Sequence, residues 1–366
     1  MHWKKALKEM TPYKPGRSIR EVMDLYDLEE VVKLASNENP YGPAPSAKEC
    51  FKNEKFEFEI YPDGNASGLR KKLSEKIGIS QESLLFGSGS DEIIAMISRA
   101  LLQPGLNTVV ATPTFPQYAH NAKIEGAEIR EVPLIEGQHD LEGFVRAIDS
   151  NTAIIWLCSP NNPTGSLIPA SDLQQFIKRV PENTLVVIDE AYFEYITDPT
   201  YTNTINLVNE YSNVIVLRTF SKAYGLAAFR VGYAIGRPEI IVNLNKVRTP
   251  FNIATAGLLL AEKALDDDEF IKHCSKLNRE QMERFSHYAS EKNLYLFDSE
   301  ANFVLIEVPG NADVASEKLL KHGFIVRSGE ALGTPGYVRV TIGTEEQNTG
   351  FFVAFDSLLL DADSSQ

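Results

Sequence analysis

The feature that most limits what this chain can become is the length and texture of its apolar runs. They are strand-sized, and some are apolar on both faces, as in Leu185-Val186-Val187-Ile188 and Val214-Ile215-Val216-Leu217. Strands buried on both sides belong to parallel sheets covered by helices. Helical patterns do separate them. Strands are expected at 84–86, 109–111, 127–133, 153–158, 185–188 and 214–217, and helices at 69–77, 93–102, 117–125, 141–148 and 170–179. The alternation predicts an α/β fold, a mostly parallel central sheet with helices on both faces. After Pro250 the texture changes. Long helices at 254–265 and 270–292, then strands at 294–297, 303–308, 324–327 and 338–342, read as a smaller α+β domain. The start, broken by Pro12, Pro15 and Gly16, reads as an arm with a short helix near 19–27. The expected division is an N-terminal arm over 1–30, a large domain over 31–250 and a small domain over 251–366.

Composition narrows the partners. Of 366 residues, 36 are Lys or Arg and 50 are Asp or Glu, a formal charge of −14. That balance argues against nucleic acid and against an anionic membrane surface. No apolar run approaches the roughly 20 residues of a membrane span, and the N-terminus lacks the apolar core of a signal peptide. Cys50, Cys158 and Cys274 are far apart, so no disulfide framework is expected and a cytoplasmic location is. The six histidines are scattered in no ligand spacing, and no metal site is expected.

In an open α/β sheet, ligands sit beyond the carboxyl ends of the strands. After 84–86 comes Gly87-Ser88-Gly89-Ser90-Asp91 and a helix start, a ready anion site. Phe115 follows the strand at 109–111 and could cover a ring face. After 153–158 comes Asn161-Asn162-Pro163-Thr164-Gly165, a stiff loop that can hold an amide at the sheet edge. After 185–188 comes Asp189, costly in a buried strand end without a cationic partner, with Tyr192 three residues on. After 214–217 comes Thr219-Phe220-Ser221-Lys222, with Arg230 beyond. Hydroxyls and a guanidinium suit a phosphate, and an amine can form an imine with an aldehyde. One ligand satisfies all these ends: pyridoxal 5′-phosphate, with its aldehyde at Lys222, its basic ring nitrogen at Asp189 and its ring hydroxyl at Asn162 and Tyr192. Each end alone also has an ordinary reading, as a turn, a helix cap, a core aromatic or a surface lysine.

With these motifs in order, the sequence resembles the fold-type I pyridoxal-phosphate enzymes, the aspartate aminotransferase superfamily, over nearly its whole length. Thr11-Pro12-Tyr13, the stretch Leu34 to Pro43, Tyr61-Pro62-Asp63-Gly64, Phe324 to Arg327 and Val338 to Gly343 resemble the class II aminotransferases that act on histidinol phosphate. Ala228 departs from that pattern, where a glycine is usual, and leaves Arg230 in register. The resemblance implies that Lys222 is the Schiff-base lysine and proton shuttle and that Asp189 pairs with the ring nitrogen. It implies Asn162 and Tyr192 at the ring hydroxyl, and Ser90, Asp91, Thr219, Ser221 and Arg230 at the phosphate. Tyr61 would reach the phosphate of a neighbouring subunit, which makes the active unit a homodimer with shared sites. Arg339 and Arg327 would bind the substrate's carboxylate or phosphate, with Tyr13 and Asn37 near its side chain. The implied reaction is a ping-pong transamination between histidinol phosphate and imidazole-acetol phosphate on one side and glutamate and 2-oxoglutarate on the other, in histidine biosynthesis. Three other readings stand beside it: an aromatic amino-acid aminotransferase, a phosphoamino-acid decarboxylase on the same scaffold, and the ligand-sensing half of a transcription regulator.

Overall fold

In chain order the strands are β1 (Val32–Lys33), β2 (Leu84–Gly87), β3 (Asn107–Thr112), β4 (Glu128–Pro133), β5 (Thr152–Cys158), β6 (Leu185–Asp189), β7 (Val214–Thr219), β8 (Gly232–Gly236), β9 (Phe303–Glu307), β10 (Phe324–Ile325), β11 (Arg327–Ser328) and β12 (Tyr337–Thr341). They come from a computed structural model that describes residues 1–8, 10–12, 16–201 and 203–363. Strands β2 to β8 form one seven-stranded sheet in the order β2-β8-β7-β6-β5-β3-β4. Every pairing is parallel except those of β8 with β2 and β7. Six strands therefore end on one edge of the sheet. The reversed strand β8 begins on that edge, opposite Thr219 and Gly87, which carries Arg230 there too.

The two faces divide by parity, as the period of two in a strand requires. Ile154, Trp156, Leu185, Val187, Ile215 and Leu217 pack into one core layer, and Ile155, Leu157, Val186, Ile188, Val214 and Val216 into the other. Each aliphatic side chain so enclosed contributes about 1.5–3 kcal/mol of transfer free energy. Helices cover both layers, which is why the apolar runs carry no polar alternation. Parity also places Asp189 on the Trp156 side, beside its register partner Cys158.

The second unit is the antiparallel sheet β11-β12-β9 packed by the helices Asp268–Lys292, Ala312–Lys321 and Glu345–Asp363. Phe285, Val304, Ile306, Val338, Val340, Phe351 and Phe355 fill its core, and Leu34 joins them from the N-terminal side. β1 pairs in parallel with β10, Val32 opposite Phe324. The helix Ile19–Tyr26 starts at a capping box, in which Ser18 and Glu21 satisfy each other's backbone N–H groups. It docks through Val22 against Val31, Leu320 and Ile325.

Some expectations are corrected. Residues 294–297 form no strand, and only Leu296 bridges Ile306. Two backbone hydrogen bonds flank that bridge, Phe297 N–H to the Leu305 carbonyl at 3.1 Å and Glu307 N–H to the Tyr295 carbonyl at 2.9 Å, and Phe297 also packs on Tyr295 and Tyr337, with centroids 4.9 and 5.3 Å away. The run 324–327 is two strands in two sheets, because β10 pairs with β1 while β11 pairs with β12. The sequence reading also missed β8 and the helices Ala312–Lys321 and Glu345–Asp363. Among the described residues, no helix is long and apolar enough to cross a membrane.

Candidate active site

The carboxyl edge of the large sheet and the face of the smaller unit enclose a cavity of about 1110 Å³. Ser90, Asp91, Phe115, Asn162, Asp189 and Tyr192 line it, together with Thr219, Ser221, Lys222, Arg230, Arg327, Arg339 and Asn37. These are the predicted site residues with two exceptions. Tyr13 lies outside the described residues. Tyr61 is 78% exposed, stacks on Phe251 at 4.8 Å, and does not line the cavity of its own chain.

At one end is an anion cradle. The helix Ser90–Leu101 opens without a side-chain cap at Gly89, whose φ of 78° suits a residue without Cβ. A side chain there would meet Arg230 Nη2 at 2.5 Å, and one at Gly232 would meet the Ser90 nitrogen at the same distance. Glycine at both positions thus lets the loop, the guanidinium and the helix start converge. Arg230 donates to Ser221 Oγ at 3.2 Å and to Asp91 Oδ2 at 3.3 Å. Thr219 Oγ1 accepts the Ser221 N–H at 3.1 Å, which fixes the turn leading to Lys222.

In the middle stands Lys222. Its Nζ donates to the Ser36 carbonyl at 2.9 Å and lies 5.7 Å from the centre of the Tyr192 ring. Burial, then the nearby Arg339 cation, lower its pKa to about 8. An amine in that range loses its proton readily and can attack an aldehyde near neutral pH. Opposite it, Asp189 Oδ2 accepts the Tyr118 hydroxyl at 2.7 Å and Oδ1 accepts the Ala191 N–H at 3.2 Å. Burial pushes this carboxyl up to about 6, against the pull of those two bonds. A buried carboxylate so placed attracts a cationic ring nitrogen. Tyr118 is stacked on Trp156 at 4.8 Å and edge-on to Phe115 at 5.6 Å.

At the far end Arg339 donates to Asn162 Oδ1 at 2.5 Å and to the Ala35 carbonyl at 2.7 Å. Arg327 is its register partner across β11 and β12, so two guanidinium side chains share one wall. Asn37 donates to the Tyr192 hydroxyl at 3.0 Å, and Thr341 donates to Asn37 Oδ1 at 3.1 Å. Sequence reasoning missed Tyr118, although Tyr118 stands in the same stretch as Phe115 and its spacing could have flagged it. It also missed Ser36 and Cys158, which join the cavity by backbone or by position alone.

An amine with a lowered pKa, a buried acid with no cation beside it among the described residues and an anion cradle on one sheet edge fit a phosphorylated aldehyde with a basic ring nitrogen. The fold and donor set are those of the fold-type I pyridoxal-phosphate enzymes. The chain matches the model of the family "aminotransferase class I and II" over residues 29–355 and belongs to that family. It is 50% identical over 359 residues to a histidinol-phosphate aminotransferase of Lysinibacillus sphaericus, covering 98% of each chain. It is 49% identical over 349 residues to a histidinol-phosphate aminotransferase of Bacillus subtilis, covering 95% of this chain and 97% of that one. Among solved structures it is similar to the histidinol-phosphate aminotransferase of Sinorhizobium meliloti in complex with pyridoxal-5′-phosphate. There the TM-score is 0.89, the identity 26% and the coverage 98% of each chain.

Proposed function

We propose that this chain moves an amino group from glutamate to imidazole-acetol phosphate, making L-histidinol phosphate and 2-oxoglutarate for histidine biosynthesis. One observation carries the reading: Lys222, the anion cradle and the Arg327–Arg339 pair all open on a single cavity. Pyridoxal 5′-phosphate, when bound, supplies an aldehyde that takes up the amino group and a ring that draws electrons from the substrate carbon. The cradle of Ser90, Asp91, Thr219, Ser221 and Arg230 would hold its phosphate, and Phe115 would cover a ring face. Asp189 would keep the proton on the ring nitrogen, and Asn162 and Tyr192 would bond the ring hydroxyl. The Lys222 amine, with its lowered affinity for a proton, would carry the proton between the substrate α-carbon and the cofactor. Arg339 would orient an α-carboxylate or the substrate phosphate, and Arg327 that phosphate, with Asn37 near the substrate side chain.

The same reading divides the work among the arm over 1–30, the cofactor unit over 31–250 and the substrate unit over 251–366, in the cytoplasm. It also makes the active unit a homodimer, with Tyr61 of the partner subunit at the cradle. An apolar ridge supports this. Phe51 packs on Phe56 and Phe229 with centroids 5.8 and 5.6 Å away, and Phe58, Ile60 and Tyr61 stand exposed beside one another in sequence. Exposed large apolar groups of this kind suit a surface that a second copy covers.

The paired arginines favour a dianionic substrate over an aromatic amino acid. A steady-state panel tests this: turnover with histidinol phosphate should exceed turnover with phenylalanine, and the reverse would sink the assignment. Lys222→Ala should lose nearly all turnover in both half-reactions and change the absorption of the bound cofactor. Normal activity in that variant would be fatal to the mechanism.

A further inference from the structure

We infer that Arg17, on the arm, is a specificity-determining residue that completes the site for the phosphate of the substrate, and that Glu317 holds it in place. The inference rests on the phosphorylated-substrate reading above. Arg17 and Glu317 both line the cavity, on the wall that carries Arg327. A Cβ on Gly16, the residue before Arg17, would lie 3.9 Å from Arg327 Nη1, so the arm backbone runs directly against that guanidinium.

The arm is tied to the same body as Arg327. The capping box at Ser18 and Glu21 sets where the helix Ile19–Tyr26 begins. That helix buries Val22 against Leu320 and Ile325, and Ile325 is two residues before Arg327. The chain direction at Arg17 is therefore fixed relative to Arg327 by packing.

The partners of Arg17 show what it is poised to do. Nη1 reaches the Tyr26 hydroxyl at 3.4 Å and Nη2 reaches Glu317 at 3.6 Å, both long. Glu317 already accepts a short hydrogen bond from Tyr26. A guanidinium has five N–H donors, and these contacts engage few of them. The other cations added on this wall are placed differently. Lys33 is held by Glu38 at 2.8 Å, and Arg20 is directed along its own helix toward Asp24 at 3.9 Å. Arg17 is thus the added cation best placed for an incoming anion.

Glu317 gives the arrangement its sign. A bare carboxylate on this wall would repel a phosphate dianion, and Arg17 covers it. Neutralising Arg17 removes a cation and uncovers an anion at once. Neutralising Glu317 as well removes the second part of the penalty.

The test uses the cofactor-loaded enzyme and measures kcat and KM for histidinol phosphate and for glutamate. Arg17→Met should raise KM for histidinol phosphate by about tenfold or more, the loss of a charge-assisted bond. KM for glutamate should stay within about twofold, because glutamate brings no phosphate. Arg17→Met combined with Glu317→Gln should recover at least about threefold of that KM, the relief of a like charge. An unchanged KM for histidinol phosphate in Arg17→Met would overturn the proposal. So would parallel rises for both substrates, the mark of a merely disordered arm, or a double variant no better than the single. If the wild type fails to turn over histidinol phosphate, the functional reading falls first and takes this proposal with it.

Discussion

Asp189 and Glu190 are consecutive in the chain, both are carboxylic acids, and both are buried. Their surroundings have nothing in common. Glu190 Oε2 accepts from Arg218 Nε at 2.9 Å, and its Oε1 accepts from the Tyr201 and Thr204 hydroxyls, each at 2.7 Å. Arg218 in turn lies 3.4 Å over the Phe193 ring and is itself buried. Asp189 faces the other side of the sheet end, with two neutral donors, Tyr118 and Ala191. A buried charge is costly unless it is paired. Glu190 finds its pair inside the chain. Asp189 lies where a ligand would bring one, and burial meanwhile pushes its carboxyl up to about 6. On the proposed reading, the contrast separates an acid that builds the fold from an acid that serves the site.

That distinction can be broken most forcefully at Glu190. Glu190→Gln breaks the buried ion pair with Arg218, which costs about 3–5 kcal/mol. The urea midpoint should fall accordingly, and adding Arg218→Met should recover most of the loss. A Glu190→Gln protein as stable as the wild type would abolish the contrast. Asp189→Asn should do the opposite. It removes a charge that no cation pairs among the described residues, so the urea midpoint should hold or rise. Turnover should fall by about 10²–10³-fold, the typical effect of deleting one preorganised electrostatic partner. Loss of stability without loss of turnover would exchange the two roles.

The same contrast marks how far the sequence can be read. Asp189, Lys222, Asn162 and the Gly89–Asp91 turn were legible because each ends or soon follows a strand, and strands buried on both faces announce themselves as unbroken apolar runs. Glu190 stands in the same motif and was passed over. Its partner Arg218 is 28 residues away, and only the parallel register of β6 on β7 brings them together. β8 was missed because Gly-Tyr-Ala-Ile-Gly is short and glycine-bounded, and its reversed direction has no local signal. The split of 324–327 depends on which strands sit alongside it, Val32 for one part and Arg339 for the other. Local pattern gives an element's existence. Long-range register decides its partners.

Tyr118 is where the contrast can be sharpened with the smallest change. Its hydroxyl is one of the two donors to Asp189, so Tyr118→Phe makes that acid still less like Glu190. A hydrogen bond to a charged group contributes about 1.5–3 kcal/mol, and this one favours the carboxylate. Without it the pKa of Asp189 moves up from about 6. The sign of the stability change follows. An acid whose folded pKa exceeds its unfolded value of 3.8 binds its proton more tightly when folded. Its contribution to stability is present below pH 3.8 and is lost as pH rises through about 6, by at most about 3 kcal/mol. In protein stripped of cofactor, urea midpoints measured from pH 4 to pH 8 should include that decline. Subtracting the Asp189→Asn profile isolates it from the other groups that titrate in the window. In Tyr118→Phe the isolated decline should extend to higher pH, and turnover of the loaded enzyme should drop by about tenfold or less, because the Ala191 N–H still holds Oδ1. A Tyr118→Phe profile that overlays the wild type would show that the phenol packs on Trp156 without governing the acid beside it.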